Sequence, residues 1–286
     1  MQQPHAHTPV TNRPTGPIGI FDSGYGGLTI LNKIRQRLPG YDYIYLGDNA
    51  RAPYGTRSFE IIYRFTLEAV RCLFDQGCPL VILACNTASA KALRSIQQND
   101  LPDIDPTRRV LGIIRPTVEA LAQITRTGHI ALLATPGTVN SGSYEIEIKK
   151  QNQAFVTESH SCPMWVPLVE NNEATGPGAD FFVKKDVDAV MASDPEIDTL
   201  ILGCTHYPLL IDKIRQYIPP GVELLTQGEI VADSLADYLR RHPEMERRLS
   251  QSGARPRFLT TENAEKFSHM ASIFLNQPVE AETILL

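Results

Sequence analysis

The chain has 286 residues, of which 42% are hydrophobic, and its 27 Lys and Arg residues against 32 Asp and Glu residues give a formal net charge of −5. This length and composition allow a sizeable buried core and favour two domains. The slight excess of acidic residues gives no electrostatic reason to expect nucleic acid as the main partner. No apolar run approaches the roughly 18 residues that are needed to span a membrane.

The N-terminal segment, residues 1–16, is rich in Pro, Thr, Gln and His and has no apolar run of the kind found in secretory signals. We therefore predict a disordered tail there. The five cysteines are an odd number, and a chain of this size needs no disulfide to fold. These features favour a reducing, cytoplasmic location, and the wide spacing of the cysteines predicts no metal site.

Alternating apolar runs and amphipathic stretches predict an α/β fold with mainly parallel sheets. The first strand, residues 18–21, leads through the Gly-rich turn 22–27 into a helix over residues 28–38. Glycines in such a turn let backbone N–H groups face an anion at the helix N-terminus. A plain tight turn and a dinucleotide site are alternatives, although the motif is not Gly-x-Gly-x-x-Gly. Asp22 and Ser23, at the carboxyl end of the strand, favour a functional site.

Further along the chain, two apolar runs each end in a cysteine followed by small polar residues. Residues 81–84 are typical of a strand buried on both faces, and Cys85-Asn86-Thr87 follows them. Residues 200–203 precede Cys204-Thr205-His206 in the same way. Open α/β sheets place their chemistry just past the carboxyl ends of such strands, so we predict that Cys85 and Cys204 lie in a cleft.

The other elements follow from the same patterns. Residues 99–107 are interpreted as a Pro- and Asp-rich joint, and residues 161–167 as an irregular stretch that leads to Glu170. Cys162, in that stretch, is interpreted as structural. The remaining strands are predicted over 43–46, 110–114, 130–134, 155–156, 222–225 and 258–260. The remaining helices are predicted over 58–76, 88–98, 117–124, 141–151, 181–191, 207–217, 229–239 and 264–275.

A faint internal duplication favours two pseudo-symmetric α/β domains with the active site in the cleft between them. Asp22 precedes Cys85 by 63 residues, and Thr135, at the end of another strand, precedes Cys204 by 69. Two such units that face each other place the two cysteines on opposite walls of one cleft. The last elements return to the first unit. The predicted first domain therefore comprises residues 17–109 and 222–286, and the second comprises residues 110–221.

Two facing cysteines can invert a carbon stereocentre, because one thiolate removes the α-proton and the opposite thiol returns a proton. A free cysteine has a pKa of about 8.5, so thiol and thiolate coexist near neutral pH. Asp22 is the candidate supporting group for Cys85. His206 and Glu170 are the candidates for Cys204. Neutral hydrogen bonds to a small substrate can come from Ser23, Asn86, Thr87 and Thr205.

Other interpretations of the same residues stay open. A disulfide between Cys85 and Cys204 is compatible with a shared cleft but is disfavoured in a reducing cytoplasm. A Cys204–His206 pair would indicate acyl transfer, although two residues so close together at a strand end need not face each other. His206 can also be a structural histidine whose hydrogen bonds are satisfied.

Five motifs stand in order along most of the chain, and together they resemble the glutamate racemases of the cofactor-independent aspartate/glutamate racemase superfamily. The motifs are Phe21-Asp22-Ser23-Gly24 with Gly26-Gly27-Leu28, Gly47-Asp48 with Pro53-Tyr54-Gly55, Ala84-Cys85-Asn86-Thr87-Ala88-Ser89, Pro167-Leu168-Val169-Glu170, and Leu202-Gly203-Cys204-Thr205-His206-Tyr207-Pro208-Leu209. The chain departs from the family at Pro116-Thr117, where Pro-Gly is expected, which leaves that turn undetermined.

The resemblance implies interconversion of L- and D-glutamate without pyridoxal phosphate or another cofactor, with D-glutamate supplied to peptidoglycan. It assigns Cys85 to the D-enantiomer and Cys204 to the L-enantiomer as acid/base residues, and it implies a homodimer. Asp22, Glu170 and His206 match its supporting catalytic residues. Its substrate contacts carry over to Asp22, Ser23, Tyr54, Gly55, Asn86, Thr87, Thr205 and His206.

Two alternatives to this function remain. One is a racemase of aspartate or another small acidic amino acid, because the size of the pocket cannot be inferred from the motifs. The other is a protein-binding role such as inhibition of gyrase, for which the acidic balance and the short polar tail give no support.

Overall fold

The computed structural model of the protein describes residues 15–286. The predicted disordered tail falls almost entirely on residues 1–14, which lie outside the described residues. Gly16, which was assigned to that tail, forms a parallel bridge with Leu249 and is part of the fold. Among residues 15–286, no helix combines the length and the apolar character that a membrane crossing requires.

The described strands form two parallel sheets, as the α/β prediction requires. The larger sheet has the order β10-β9-β2-β1-β3-β4, and the smaller has the order β6-β5-β7-β8. The strands are β1 Ile18–Asp22, β2 Tyr43–Gly47, β3 Leu80–Leu83, β4 Arg109–Gly112, β5 His129–Ala134, β6 Val156–Ser161, β7 Thr199–Gly203, β8 Glu223–Leu225, β9 Arg257–Thr260 and β10 Ala281–Thr283.

Helices connect the strands and cover the sheets. They are α1 Leu28–Arg37, α2 Phe59–Asp75, α3 Asn86–Lys91, α4 Leu93–Ser95, α5 Leu101–Ile104, α6 Ile114–Ile124, α7 Pro136–Val139, α8 Ser143–Gln151, α9 Trp165–Glu170, α10 Pro177–Ser193, α11 Ile211–Tyr217, α12 Gln227–Arg241, α13 Pro243–Glu246 and α14 Ala264–Leu275. Asn49–Arg51 and Tyr207–Leu210 form 3₁₀ turns, and Ile96–Asp100 forms a π-helical turn.

The cores form where the apolar patterns predict them. Every residue of β1, β3 and β7 is buried, as expected for central parallel strands that helices cover on both faces. Helix α2 begins after Ser58, whose hydroxyl accepts the N–H of Ile61, and it turns its apolar residues towards the larger sheet. These central strands hold the loops that follow them at fixed positions along one edge of each sheet.

The sheet pairings differ from the predicted domain boundaries at 110 and 222. Strand β4 pairs with β3 in the larger sheet, and β8 pairs with β7 in the smaller sheet. In each case a helical segment returns the chain to the sheet that it has just left, which is the usual βαβ connection. We propose that the chain crosses between domains near residues 113 and 226 instead.

Three local predictions also need correction. The joint predicted over residues 99–107 is helical as far as Ile104, because the helical segment after β3 continues through its π-helical turn. Glu170, which was predicted to follow an irregular stretch, is the last residue of helix α9. The chain continues past its last predicted helix into strand β10, which extends the larger sheet beside β9.

Candidate active site

The larger sheet places Asp22 and Cys85 at its carboxyl edge. Asp22 is the last residue of β1, and Cys85 lies between β3 and α3. Because β1 and β3 are paired and parallel, their carboxyl ends meet. The Cys85 thiol donates a hydrogen bond to Ser23 Oγ over 3.5 Å, and Cys85 is only 6% exposed. The first cysteine is therefore held against the β1–α1 turn.

The protonation of Cys85 depends on its burial and on nearby negative charge. Burial, together with the charges of Asp22 and Cys204, raises the pKa of the Cys85 thiol to about 12. The thiol is therefore protonated at neutral pH, and a thiolate formed there is a strong base. Since the charge of Cys204 contributes to this shift, the two thiols lie within electrostatic range of each other.

The smaller sheet provides the second thiol. Cys204 directly follows β7 and is also 6% exposed. Its Sγ lies 3.8 Å from Nδ1 of His206, and Nε2 of the same ring lies 3.1 Å from Oε1 of Glu170. Cys204 and His206 thus face each other, although their spacing in sequence does not require it. The three side chains form a line from thiol to imidazole to carboxylate.

The charge of His206 follows from its position in that line. Burial opposes a charge on the ring, but hydrogen bonds with Cys204 and Glu170 outweigh the burial and raise the pKa of His206 to about 10. His206 is therefore an imidazolium at neutral pH. A cation beside a thiol stabilises the thiolate. The arrangement therefore places a cation beside Cys204, while burial and the charge of Asp22 keep Cys85 a neutral thiol.

Asp22 connects the two halves of the site. It is fully buried, and Oδ2 accepts the Gly24 N–H over 2.9 Å while Oδ1 accepts the Thr205 hydroxyl over 3.4 Å. Burial raises the pKa of Asp22, and the positive charge of His206 offsets this only in part. Because Thr205 lies in the loop after β7, its bond to Asp22 joins the carboxyl edges of the two sheets.

The close contact between the two edges requires a glycine at position 26. A Cβ atom there would lie 2.3 Å from Thr205 Oγ1 and 2.5 Å from His206 Nδ1. The hydroxyl of Thr29, one turn along, also donates to the Thr205 carbonyl over 3.3 Å. Gly26 thus makes room for the loop that carries the second cysteine.

Thr87 lies in a cluster of hydroxyl groups. Its Oγ1 is 3.0 Å from Thr135 Oγ1 and 3.4 Å from Thr138 Oγ1. The carbonyl of Gly55 accepts the N–H of Gly137 over 2.7 Å, so the loop after β2 meets α7 at this cluster. Thr135 and Thr138 were not predicted as site residues. The position of Thr135 at a strand end, before a helix that it caps, was the available signal.

Asn86 is held by a buried network that sequence motifs did not reveal. Its Nδ2 donates to Gln227 Oε1 over 2.6 Å, and its Oδ1 accepts the Tyr144 hydroxyl over 2.7 Å. Gln227 Nε2 donates in turn to Thr117 Oγ1 over 2.9 Å. The Asn86 side chain therefore connects the start of α3 to α12, α8 and α6, and it is already engaged within the protein.

The hydroxyl of the predicted contact residue Tyr54 is engaged within the protein. Its hydroxyl donates to the Asp48 carboxylate, which also pairs with Arg51. Tyr54 is buried, and burial together with Asp48 raises the pKa of its hydroxyl. In this conformation the Tyr54 hydroxyl is committed to Asp48, while the adjacent Gly55 lies near Thr135.

Comparisons with known proteins agree with this fold. Residues 19–235 match the family model described as Asp/Glu/Hydantoin racemase. A glutamate racemase of Ruegeria sp. is 42% identical over 275 residues, which is 93% of this chain and 98% of that protein. A glutamate racemase isoform of Bacillus anthracis has a TM-score of 0.87 and 33% identity, with 95% of this chain and 98% of that chain covered. The Francisella tularensis glutamate racemase, solved in complex with D-glutamate, has a TM-score of 0.83 and 31% identity, with 95% and 97% covered.

These matches define the class of protein: the chain belongs to the Asp/Glu/hydantoin racemase family. It is accordingly an isomerase of the amino-acid racemase type. The matched region runs from β1 into α12. It includes Asp22, Cys85, Glu170, Cys204 and His206.

Proposed function

We propose that the protein interconverts L- and D-glutamate by two-base proton transfer between Cys204 and Cys85, without a cofactor. The observation that carries the proposal is the pair of thiols at the ends of β3 and β7, one beside a buried carboxylate and the other beside a buried imidazolium. The names of the relatives in the comparisons support glutamate as the substrate.

In the proposed reaction with L-glutamate, the Cys204 thiolate removes the α-proton. The Cα–H bond breaks, and its electron pair stays on Cα and spreads into the substrate carboxylate. The Cys85 thiol then donates its proton to the opposite face of Cα. The product is D-glutamate, with a thiol at Cys204 and a thiolate at Cys85. The reverse reaction starts from the Cys85 thiolate.

The neighbours of each thiol suit the two halves of this reaction. The His206 imidazolium, held by Glu170, stabilises the Cys204 thiolate before the reaction begins. Asp22 raises the basicity of the Cys85 thiolate, which favours the return of a proton to that sulfur. We propose that Ser23, Asn86, Thr87 and Thr205, with the backbone around Tyr54 and Gly55, orient the amino and carboxylate groups of the substrate.

We further propose that the protein is a cytoplasmic homodimer whose D-glutamate is used in peptidoglycan synthesis. These features are carried over from the family resemblance. Size-exclusion chromatography with light scattering tests the dimer, and a monomer mass over the working concentration range would contradict it.

Polarimetry of L-glutamate with purified protein and no added cofactor tests the reaction. We expect the rotation to fall towards zero with the wild type. Cys85→Ser and Cys204→Ser should each lower kcat by about 10²–10⁴-fold, the range that acid/base groups contribute. Cys72→Ser is the matched control, because Cys72 is a half-buried cysteine on helix α2, and it should keep the wild-type rate.

A parallel incubation with L-aspartate tests the substrate. Faster turnover of aspartate than of glutamate would identify aspartate as the substrate. The two-base chemistry would remain in place. Wild-type turnover in either active-site serine variant would contradict the two-cysteine mechanism itself.

A further inference from the structure

A cluster of three side chains of metal-ligating types lies outside the site described above. His160 is in β6, Cys162 follows that strand, and Asp186 is in α10. One ligand atom from each side chain lies within 4.8 Å of those of the other two. His160 Nε2 is 3.2 Å from Asp186 Oδ1. The cluster thus brings together sulfur, nitrogen and oxygen, the three kinds of ligand that zinc accepts.

Asp186 is the residue that most needs an explanation. It is 3% exposed and lies on the apolar face of α10, beside Val183, Val187 and Val190. A buried carboxylate is costly unless a cation or several hydrogen bonds compensate for its charge. Within residues 15–286, no Lys or Arg forms an ion pair with Asp186, and its ionic partner is His160.

Cys162 is buried beside Asp186 in the same cluster. Cys162 is 1% exposed, and its Sγ lies within 4.8 Å of the ligand atoms of His160 and Asp186. The sulfur and the carboxylate are therefore close together in the protein interior. His160, whose side chain is 30% exposed, lies on the solvent side of the cluster and leaves a route of entry.

We propose that His160, Cys162 and Asp186 form a zinc-binding site. Zinc bonds of about 2.0–2.3 Å place neighbouring ligands of a tetrahedral site about 3.3–3.8 Å apart. The His160–Asp186 distance is already close to that range, so small side-chain movements complete the set. On binding, the Cys162 thiol releases its proton to water and the thiolate bonds to Zn²⁺. A water molecule on the exposed side completes the coordination.

The site lies next to the turn that leads into α9, the helix that ends at Glu170. The carbonyl of Cys162 accepts the Tyr207 hydroxyl over 3.2 Å, and the Tyr207 ring packs against Trp165. Bound zinc would therefore fix the start of α9. The inference does not depend on the substrate or the mechanism proposed above.

Titration of the metal-free protein with Zn²⁺ by calorimetry, and with Co²⁺ by absorption spectroscopy, tests the proposal. We expect one equivalent of each metal to bind and Co²⁺ to give a thiolate-to-metal charge-transfer band. Cys162→Ser should remove the band and weaken Zn²⁺ binding by at least about 100-fold, since loss of outer-shell partners alone costs 10–100-fold. His160→Gln and Asp186→Asn should each weaken binding and give further measurements if Cys162→Ser does not fold.

Two controls distinguish this site from other places where metal could bind. The Cys85→Ser/Cys204→Ser double variant lacks both proposed catalytic thiols and should keep the Co²⁺ band. His129→Gln is the matched histidine control, because His129 lies in the same sheet as His160 and its Nδ1 pairs with Oδ2 of Asp194 at 2.6 Å. This variant should bind zinc as the wild type does. A band that survives Cys162→Ser and disappears in the double variant would overturn the proposal, as would no binding of either metal.

Discussion

His206 is a buried charged group whose protonation depends on two partners. Its ring lies between the Cys204 sulfur and the Glu170 carboxylate and is 4% exposed. Both partners favour the imidazolium, and they do so in the folded protein only. The charge of His206 is therefore linked to the stability of the fold as well as to the proposed state of Cys204.

The raised pKa of His206 predicts how stability depends on pH. The folded value of about 10 exceeds the ordinary value of 6.5, so the folded state binds the proton more tightly than the unfolded state does. This stabilisation is fully present below about pH 6.5 and is lost as the pH rises through about 10. We expect urea unfolding to give a free energy of unfolding that falls across this window, and by less in His206→Gln.

The Cys85 thiol also has a raised pKa, so it contributes a loss of stability at higher pH in both proteins. His242→Gln serves as a control, because the His242 side chain is 38% exposed, and it should leave the wild-type profile unchanged. Equal slopes for wild type and His206→Gln between pH 6.5 and 10 would show that His206 is not held as an imidazolium.

At the scale of single residues, the positions of the thiols and the identity of their candidate supporting groups could be predicted from the sequence, whereas the contacts between them could not. Cys85 and Cys204 each follow an unbroken apolar run, which places them at the ends of buried strands. The contact between Cys204 and His206 depends on the path of the loop after β7. That path depends on packing against Gly26, which is 180 residues away in sequence. Asp186, on an apolar helix face, was not predicted to have a role.

At the scale of elements, the β1–α1 turn and the loop after β7 pack without a gap at position 26. Gly26→Ala places a methyl group against Thr205 and His206. We expect the free energy of unfolding to fall by about 1–3 kcal/mol. Racemisation should fall by roughly 100-fold, because small displacements of positioned groups cost that much. Chemical denaturation and polarimetry measure the two effects.

Gly40→Ala is the control for that substitution, because no atom of the described chain beyond Gly40 and its two chain neighbours lies within 4 Å of the added Cβ. It should leave both activity and stability close to wild type. If Gly26→Ala were as active as Gly40→Ala, the two loops would not pack as closely as described.

Helix α12 reaches the site through Gln227, the first residue of the helix. Gln227→Ala leaves the buried Asn86 amide and the Tyr144 hydroxyl without a shared partner. We expect a loss of about 1–3 kcal/mol in the free energy of unfolding, which is the cost of unsatisfied buried polar groups. Turnover should also fall, because Asn86 adjoins Cys85. Thermal or urea unfolding and a racemisation assay provide the measurements.

Gln123→Ala offers the comparison, since Gln123 is exposed on helix α6, and its effect should stay within about 0.5 kcal/mol. Equal stabilities for the two alanine variants would contradict the proposed importance of the network. Gln227 was not predicted as a site residue because it follows a short edge strand and belongs to no motif. Its partners come from three other helices that only the folded chain brings together.

At the scale of the whole molecule, two parallel sheets meet at their carboxyl edges through the Asp22–Thr205 hydrogen bond and the Thr87–Thr135 contact. The α/β class and most strands could be predicted, because central parallel strands leave long apolar runs. The sheet membership of β4 and β8 could not, because it depends on whether the preceding helix returns to the same sheet. The Pro- and Asp-rich composition of residues 99–107 indicated a joint where the chain is largely helical.

Both proposed catalytic thiols are 6% exposed, so the proposed chemistry takes place away from bulk water. In the proposed mechanism the two thiols act on opposite faces of Cα, so the proton that one thiol removes is not the proton that the other thiol returns. This separation is the central claim of the account, because it distinguishes two bases from a single base that serves both faces of the carbon.

Proton NMR of L-glutamate in D₂O, followed from the first turnovers with no added cofactor, tests this claim most directly. We predict that D-glutamate appears with deuterium at Cα while the remaining L-glutamate keeps its α-proton, with chirality measured on the same samples. Cys85→Ser should slow the formation of deuterated D-glutamate by about 10²–10⁴-fold. Early loss of the α-proton from L-glutamate without inversion, or D-glutamate that retains the original proton, would contradict the two-base account.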